Sequence, residues 1–587
     1  MVKIDNKLAY VLSQVRKPAR YMGNEWNAVH RDHKQVRVKM VLGFPDLYEV
    51  GMSNQGIKIL YDCVNRDLEA VMERVFAPAV DMEELMRQYN IPLFALESGK
   101  PVKDFDLIGF SLQYELSYSN VLNMLDLGNI PLYSTERRND DPLVIGGGPC
   151  VYNPEPLAPF FDLFILGEAE EALPELLSLM ADLKGSNFSR KQIIKELSLV
   201  DGVYVPSFYS PRWSNGKQEG LDITESKAPT LIKRRLIKNL DQAPYPVSPL
   251  VPYIQTIHDR AVIEIFRGCA RGCRFCQAGF TFRPVRRRSR EKIVQQAKEL
   301  LVSTGYEELS LSSLSSSDYP HLDRLLEELE EAVKGKQVKI SLPSLRLDSY
   351  SIKLADRLHQ GRRSNLTFAP EAATERLRKV INKDITEDDI FTALSDAVDA
   401  GWQGFKLYFM IGLPTETRAD VEAIAALCER IQNHFKNKGK RGVSISVSVS
   451  TFVPKAQTPF QWEPQIPLEE IIEKQEIIRR GFKHLPGQKL SWHQAETSLL
   501  EAVFARGDRN LALVLEKAWR LGCRFDGWSE YFSYDRWQQA FSECGVNAAT
   551  YAQQRFAVDQ FLPWGHLQSS ISIDLFCREN QKSMAAD

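Results

Sequence analysis

The chain has 587 residues, 44% hydrophobic and 26% charged, with a formal net charge of −2. That length holds several buried cores, and the composition excludes a disordered or fibrous chain. The near-neutral balance excludes an overall polyelectrolyte attraction for nucleic acid, and nine cysteines in this length exclude a disulfide framework.

From the N-terminus, residues 1–35 are polar and mixed, and a short helix is expected around Leu8-Ala9-Tyr10-Val11-Leu12. The start Met1-Val2-Lys3-Ile4 lacks an apolar secretory core, and no run of about 18 apolar residues follows, so no membrane span is expected. Scattered cysteines suit a reducing cytoplasm. Residues 36–43 alternate apolar with basic and then run apolar, as a first strand entering a core does, and 51–61 follows as a helix. Further strands are read at 106–111, 143–145 and 162–166. The last two end in Gly146-Gly147-Gly148-Pro149 and Gly167-Glu168. Strands alternating with helices predict an α/β domain over 36–204, a doubly wound parallel sheet. Such sheets bind ligands at the carboxyl ends of their strands, where these glycines fall, although each glycine alone also reads as a tight turn. Residues 205–255 carry many prolines and read as a linker with a small β element.

The run Ala261-Val262-Ile263-Glu264-Ile265-Phe266 leads into Cys269, Cys273 and Cys276, spaced C-x3-C-x2-C. Gly268 and Gly272 let the backbone bend between them. Thiolates suit zinc or iron–sulfur centres. Structural zinc wants a fourth ligand, and the nearest histidines are His258 and His321. Three thiolates suit a 4Fe–4S cluster with one iron left open, against the alternatives of a zinc knuckle or three unrelated thiols. The arginines that follow (Arg283, Arg286, Arg287, Arg288, Arg290) read either as a phosphate site, RNA phosphate included, or as a salt-bridged loop. Strands are expected at 309–314, 338–346, 366–371, 405–412 and 443–454, each separated by helical patterns, which predicts a partial (β/α)6 barrel over 256–460. A mostly helical region, 461–587, follows with helices at 469–482 and 498–521. The aromatic-rich stretch 525–534 either lines a pocket or packs in a core.

The C-x3-C-x-aromatic-C run at a strand end resembles the signature of the radical S-adenosylmethionine (SAM) enzymes. The resemblance implies that Cys269, Cys273 and Cys276 hold three irons of a 4Fe–4S cluster and that the amino and carboxylate groups of SAM chelate the fourth. One electron from the cluster then splits SAM into methionine and a 5′-deoxyadenosyl radical. It places Phe275 against the adenine, and Gly412 where backbone approaches it. Ser344 and Arg346 become candidates for the ribose and carboxylate of SAM, against a turn serine and a surface ion pair. Glu371, at a strand tip, is a cofactor contact or a helix cap. Where superfamily members carry a Gly-Gly-Glu-like segment this chain has Ser315-Ser316-Ser317-Asp318. No substrate-radical partner is identified, so the catalytic residue is unassigned.

Residues 36–180, with Gly146, Gly147 and the Gly167-Glu168-Ala169-Glu170 run, resemble the cobalamin-binding domain that precedes many radical SAM domains. Its D-x-H-x-x-G motif is absent; Tyr48 stands where the cobalt-ligating His would be. Cobalamin is therefore left open. With it, methyl transfer is the expected reaction; without it, hydrogen abstraction leading to rearrangement or sulfur insertion. The order of motifs is also similar to the methylthiotransferases that modify tRNA or a ribosomal protein, although their further three-cysteine set is not visible. The resemblance implies a one-electron reductant such as flavodoxin or ferredoxin, and a substrate the sequence does not identify. The competing reading from another class is a non-catalytic zinc or redox-sensing iron–sulfur protein with no SAM pocket.

Overall fold

The computed structural model describes residues 6–66, 69–214, 217–343, 349–358, 365–440, 442–485 and 487–586. Ser344 and Arg346 lie outside the described residues.

The N-terminal sheet contains β1 (Val38–Phe44), β2 (Ala70–Phe76), β3 (Leu107–Ser111), β4 (Leu143–Gly147), β5 (Leu163–Ile165) and β6 (Val203–Tyr204). Their order is β2-β1-β3-β4-β5-β6, parallel throughout except for β6. Apolar runs suit these strands because successive residues, which point to opposite faces of the sheet, are buried alike. The chain winds outward from β1 to β2 and then returns to lay β3 on the other side, so the order reverses between β1 and β3. Ligands of open α/β sheets sit at this switch point. β2 has no counterpart among the strands expected from sequence. It is buried along its whole length, Glu73 and Arg74 included. Arg74 pairs with Glu25 at 2.7 Å and with Glu97 at 2.6 Å. Glu73 accepts from Ser98 Oγ and contacts His33, both at 2.6 Å.

After a hairpin (Tyr209–Ser214 with Lys217–Ile223), the segment Ile232–Lys233 pairs with Leu567–Gln568 near the other end of the chain. Two parallel sheets then form the open barrel. The first contains β7 (Ala261–Glu264), β8 (Glu308–Ser312) and β9 (Lys339–Ser341). The second contains β10 (Leu366–Glu371), β11 (Gly404–Ile411), β12 (Ser444–Thr451) and β13 (Lys489–Trp492). Helices such as Arg290–Thr304, Glu387–Asp399 and Arg418–Asn437 provide the crossovers. β13 lies beyond the strands expected from sequence and adds a further parallel strand. Phe405, Leu407, Phe409, Ile445, Val447 and Val449 pack on the helices. The alternate positions, Lys406, Tyr408, Ser446, Ser448 and Ser450, are more accessible. That accounts for the alternation of serine with β-branched residues.

The C-terminal helices join the core of the N-terminal sheet. The helix expected at 498–521 is two helices, Ala495–Arg506 and Leu511–Arg520. The break at Gly507 is held by Asn153 Nδ2, which donates to the carbonyls of Ala505 and Gly507 at 3.1 and 3.0 Å. The aromatic stretch packs against the N-terminal domain. Trp528 Nε1 donates to Asp46 at 2.9 Å, and Asp526 accepts from Ser119 Oγ at 2.5 Å and from Trp537 Nε1 at 2.9 Å. Among the described residues no helix is long and apolar enough to cross a membrane. All nine cysteines are free.

Candidate active site

After β7, two-residue strands Phe266–Arg267 and Arg286–Arg287 pair antiparallel and close off the loop that carries the three cysteines. At Gly268 φ is +95°, and a Cβ there would lie 2.6 Å from Phe282 O and 2.8 Å from Pro284 O, so the position requires glycine. Gly272 also has positive φ, +78°.

Side chains from distant segments hold the loop by its carbonyls. Arg283 Nε donates to Cys269 O at 3.0 Å, and Asn382 Nδ2 to Gly272 O at 2.9 Å. Arg274 points the other way. Its guanidinium caps the helix Glu375–Val380, donating to Lys379 O at 2.9 Å and Val380 O at 2.7 Å, where orphan carbonyls and the helix dipole favour a cation. It also pairs with Glu579 of the C-terminal helix at 3.1 Å. Cys276 caps the next short helix, its Sγ accepting from the Gly279 N–H at 3.3 Å.

Burial pushes the Cys273 thiol up to about 11, and Lys383 partly opposes it. Cys276 is raised for the same reason, with the Gly279 N–H pulling the other way. The three thiols are close enough to feel one another's charge. Among the described residues, no group of three or more His, Cys, Asp or Glu side chains is placed to hold a metal ion. A tetrahedral zinc needs four donors converging on one ion. A cubane spreads three thiolates over three corners, and it supplies the positive charge that buried thiolates need. The donor set fits the cluster better than a single ion.

Glu371, at the tip of β10, has φ of +68°, an uncommon conformation for a residue with a Cβ. It is not the helix cap; Thr374 is, accepting from the Leu377 N–H at 3.4 Å. Its carboxylate lies 3.6 Å from Lys383, and desolvation, opposed by that lysine, holds its pKa above the ordinary range. The Glu371 and Lys383 charges both reach Cys273 and Cys276. Phe275 packs on a cluster containing Ala372, Leu413, Phe452 and Phe460. Gly412, next to Leu413, has φ of +79° and donates its N–H to Glu416 at 2.8 Å. The structure thus gathers Cys273, Cys276 and Glu371 in one electrostatic neighbourhood, and Phe275 and the Gly412 turn along one apolar wall. Lys383 carries no motif and is found only in the folded chain.

The arginines after the cysteines are mostly engaged within the protein. Arg286 pairs with Glu168, and Arg290 with Glu328 at 2.6 Å. Arg288 donates to Leu240 O at 2.5 Å and lies over Tyr245. The salt-bridged reading of this loop holds for Arg286 and Arg290, whereas Arg288 is held by a backbone carbonyl and a ring.

A cavity of about 350 Å³ lies between the carboxyl ends of the N-terminal strands and the barrel. One wall contains Gly109, Gly146, Gly147 and Gly148, with Ile59, Leu60 and Phe110. The other contains Glu264, Arg267, Thr281, Phe282 and Ser312, the neighbours of the cysteine loop. The two glycines singled out from sequence differ. A Cβ at Gly146 would meet the Phe164 ring at 2.5 Å, whereas at Gly147 it would meet nothing within 4 Å. Tyr48 is not part of this wall: its hydroxyl donates to Glu25 at 2.8 Å inside the domain core. Arg267 bridges the walls, pairing with Glu264 and Glu170, both at 2.8 Å.

Two family models match the chain, "Radical SAM proteins, N-terminal" over residues 56–206 and "Radical SAM superfamily" over residues 263–428. An uncharacterized protein of Methanocaldococcus jannaschii is 30% identical over 73% of this chain and 84% of its own length. An uncharacterized methyltransferase of Pyrococcus horikoshii is 26% identical over 50% of this chain and 59% of its own. A ribosomal protein uS12 methylthiotransferase of Acaryochloris marina is 28% identical over 46% of this chain and 59% of its own. Among solved structures, TsrM of Kitasatospora setae, a radical SAM methyltransferase with cobalamin and a 4Fe–4S cluster, aligns with a TM-score of 0.44 and 13% identity over 70% of this chain and 72% of that one. The cobalamin-dependent enzyme OxsB aligns with a TM-score of 0.46 and 12% identity over 93% of this chain and 79% of that one.

Proposed function

The chain belongs to the radical SAM superfamily, and from that premise we propose that it is a methyltransferase whose N-terminal cavity takes a corrinoid beside the cluster and SAM. One observation carries this reading: a single cavity shares its walls between the glycine-rich strand ends of the N-terminal sheet and the residues flanking the cysteine loop. A cofactor there would adjoin the place where SAM is cleaved.

Cys269, Cys273 and Cys276 would hold the cluster, and Phe275, Glu371 and Gly412 would contact SAM. The cluster and SAM supply one-electron cleavage to an adenosyl radical, and a corrinoid supplies a methyl carrier. The chain's own part is positioning. Arg283 and Asn382 fix the loop by its backbone carbonyls, and Arg274 ties it to the helix Glu375–Val380, none of them engaging a thiol. The apolar wall of Leu413, Phe452 and Phe460 excludes water from the neighbourhood of Phe275. Gly147 leaves an unobstructed wall for a flat ligand face.

The reading favours methyl transfer over methylthiolation, because residues 36–204 contain only Cys63 and Cys150, both buried. A cytoplasmic setting and reduction by a flavodoxin or ferredoxin belong to the same proposal. The test is anaerobic reconstitution with iron, sulfide and hydroxocobalamin, then desalting. Retention of a corrinoid spectrum, with 5′-deoxyadenosine formed from SAM and reductant, supports the reading. SAM cleavage by protein that retains no corrinoid overturns the cobalamin part.

A further inference from the structure

The apolar residues of the barrel strands pack on the helices outside, and the residues between them face the barrel interior. That inner face is polar in both sheets. It carries Ser310, Ser312 and Ser341 in the first, and Tyr408, Ser446 and Ser448 in the second. A closed (β/α)8 barrel fills its centre with branched apolar side chains. Hydroxyls cannot build such a core cheaply, so this interior suits water or a polar ligand. Tyr408 is 36% exposed there.

Register sorts the inner residues of the second sheet into rows. Thr367, Lys406, Ser446 and Lys489 share the first row. Tyr408, Ser448 and Ser491 share the next, and Met410 and Ser450 the third. Met410 packs on the same apolar cluster as Phe275, at the cysteine end of the barrel. Four residues separate Lys406 from Met410, which is about 13 Å along a strand.

The carboxylates on the inner face have cations of their own. Glu264 pairs with Arg267 at 2.8 Å, Glu308 with Arg260 at 2.5 Å, and Glu371 with Lys383 at 3.6 Å. Lys406 Nζ lies over the Tyr408 ring at 4.7 Å. Among the described residues neither Lys406 nor Lys489 makes an ion pair. The first row therefore holds two surplus cations, one strand to either side of Ser446. A carboxylate would match only one of them. A phosphate monoester, with a charge near −2, matches both and also accepts from a hydroxyl.

We propose that Lys406, Ser446 and Lys489 bind a phosphate monoester group of the substrate, about 13 Å from the part that reacts beside Phe275. These residues bind and orient; they take no part in bond making. The inference goes beyond the methyl-transfer reading and does not depend on a corrinoid, since the row belongs to the barrel alone.

The test uses full-length protein with its cluster reconstituted and desalted, titrated by calorimetry with phenyl phosphate. Phenylacetate at the same ionic strength is the singly charged control. Wild type is compared with Lys406→Met, Lys489→Met and Lys298→Met, the last an exposed lysine on the outer helix Arg290–Thr304. Iron content and melting temperature are measured in the same samples. The expected result is phosphate binding by wild type and Lys298→Met, and affinity weakened about tenfold or more in Lys406→Met and in Lys489→Met. Phenylacetate should bind more weakly than phenyl phosphate by a similar factor. A wild type that binds no phenyl phosphate overturns the inference, as does equal affinity in wild type and both inner variants. So does phenylacetate binding as tightly as phenyl phosphate. Each of these outcomes leaves the corrinoid reading standing, and protein that retains no corrinoid leaves this one standing. If Lys406→Met does not fold, Lys489→Met, at an exposed position on the edge strand, decides by the same outcomes.

Discussion

Arg286 and Glu168 meet in a buried two-pronged ion pair, with Nη1 and Nη2 each 2.7 Å from a different carboxylate oxygen. The same Glu168 oxygen that faces Nη1 accepts the Ile237 N–H at 2.7 Å. This contact pins the N-terminal sheet to the strand that closes the cysteine loop. Burial disfavours the charged Glu168, but Arg286 and Arg267 overcome it and hold its pKa below the ordinary range. Its contribution to stability is therefore present above the unfolded carboxylate pKa and is lost as pH falls through the folded one. Glu168→Gln leaves Arg286 buried and short of its counter-charge. The expected cost is about 3 kcal/mol or more. It should be read as a lower urea midpoint together with reduced iron retention; an unchanged midpoint would show that the pair does not fasten the domains.

Gly146 and Gly147 should respond oppositely to a side chain. Gly146→Ala drives a methyl into the Phe164 ring and should lower the melting temperature by several degrees. Gly147→Val places its bulk in open cavity, so melting should change little while hydroxocobalamin binding falls at least tenfold. Melting curves and absorbance titrations separate the two effects. A Gly147→Val protein that binds the corrinoid normally would place the ligand elsewhere.

Lys58 is buried in the helix Gln55–Asn65, and desolvation lowers its pKa to about 8, with Asp259 opposing. An unfolded lysine titrates near 10.4. Between these values the unfolded chain binds more protons than the folded one, so this group adds stability as pH rises from about 8 to about 10. Below pH 8 the buried charge is a standing cost. Lys58→Met should raise stability at pH 7 by about 1–3 kcal/mol and flatten the rise above pH 8. Denaturant midpoints across that range check it; parallel curves for both proteins would mean the lysine is solvated.

The sheet strands that are legible in the sequence are those whose buried residues are apolar, such as 143–145 and 162–166. β2 escapes because Glu73 and Arg74 break its apolar run, and the partners that make their burial tolerable, Glu25 and Glu97, lie elsewhere in the chain. The serine alternation of β12 is readable because only one face meets the helices. The cysteine loop is legible because ligand spacing is local. The cavity is not, since its walls come from segments brought together only by folding. Lys383 carries no motif and becomes visible only next to Glu371. The break at Gly507 depends on Asn153, a contact that periodicity cannot report.

The central claim is that Cys269, Cys273 and Cys276 hold a cluster that cleaves SAM. Its most direct measurement is 5′-deoxyadenosine formation, alongside iron content, in anaerobically reconstituted wild type and Cys273→Ser supplied with SAM and dithionite. The account predicts an iron-loaded wild type that forms 5′-deoxyadenosine, and a variant that loses the cluster signal and the product together. A variant that keeps its iron and cleaves SAM at the wild-type rate would contradict it.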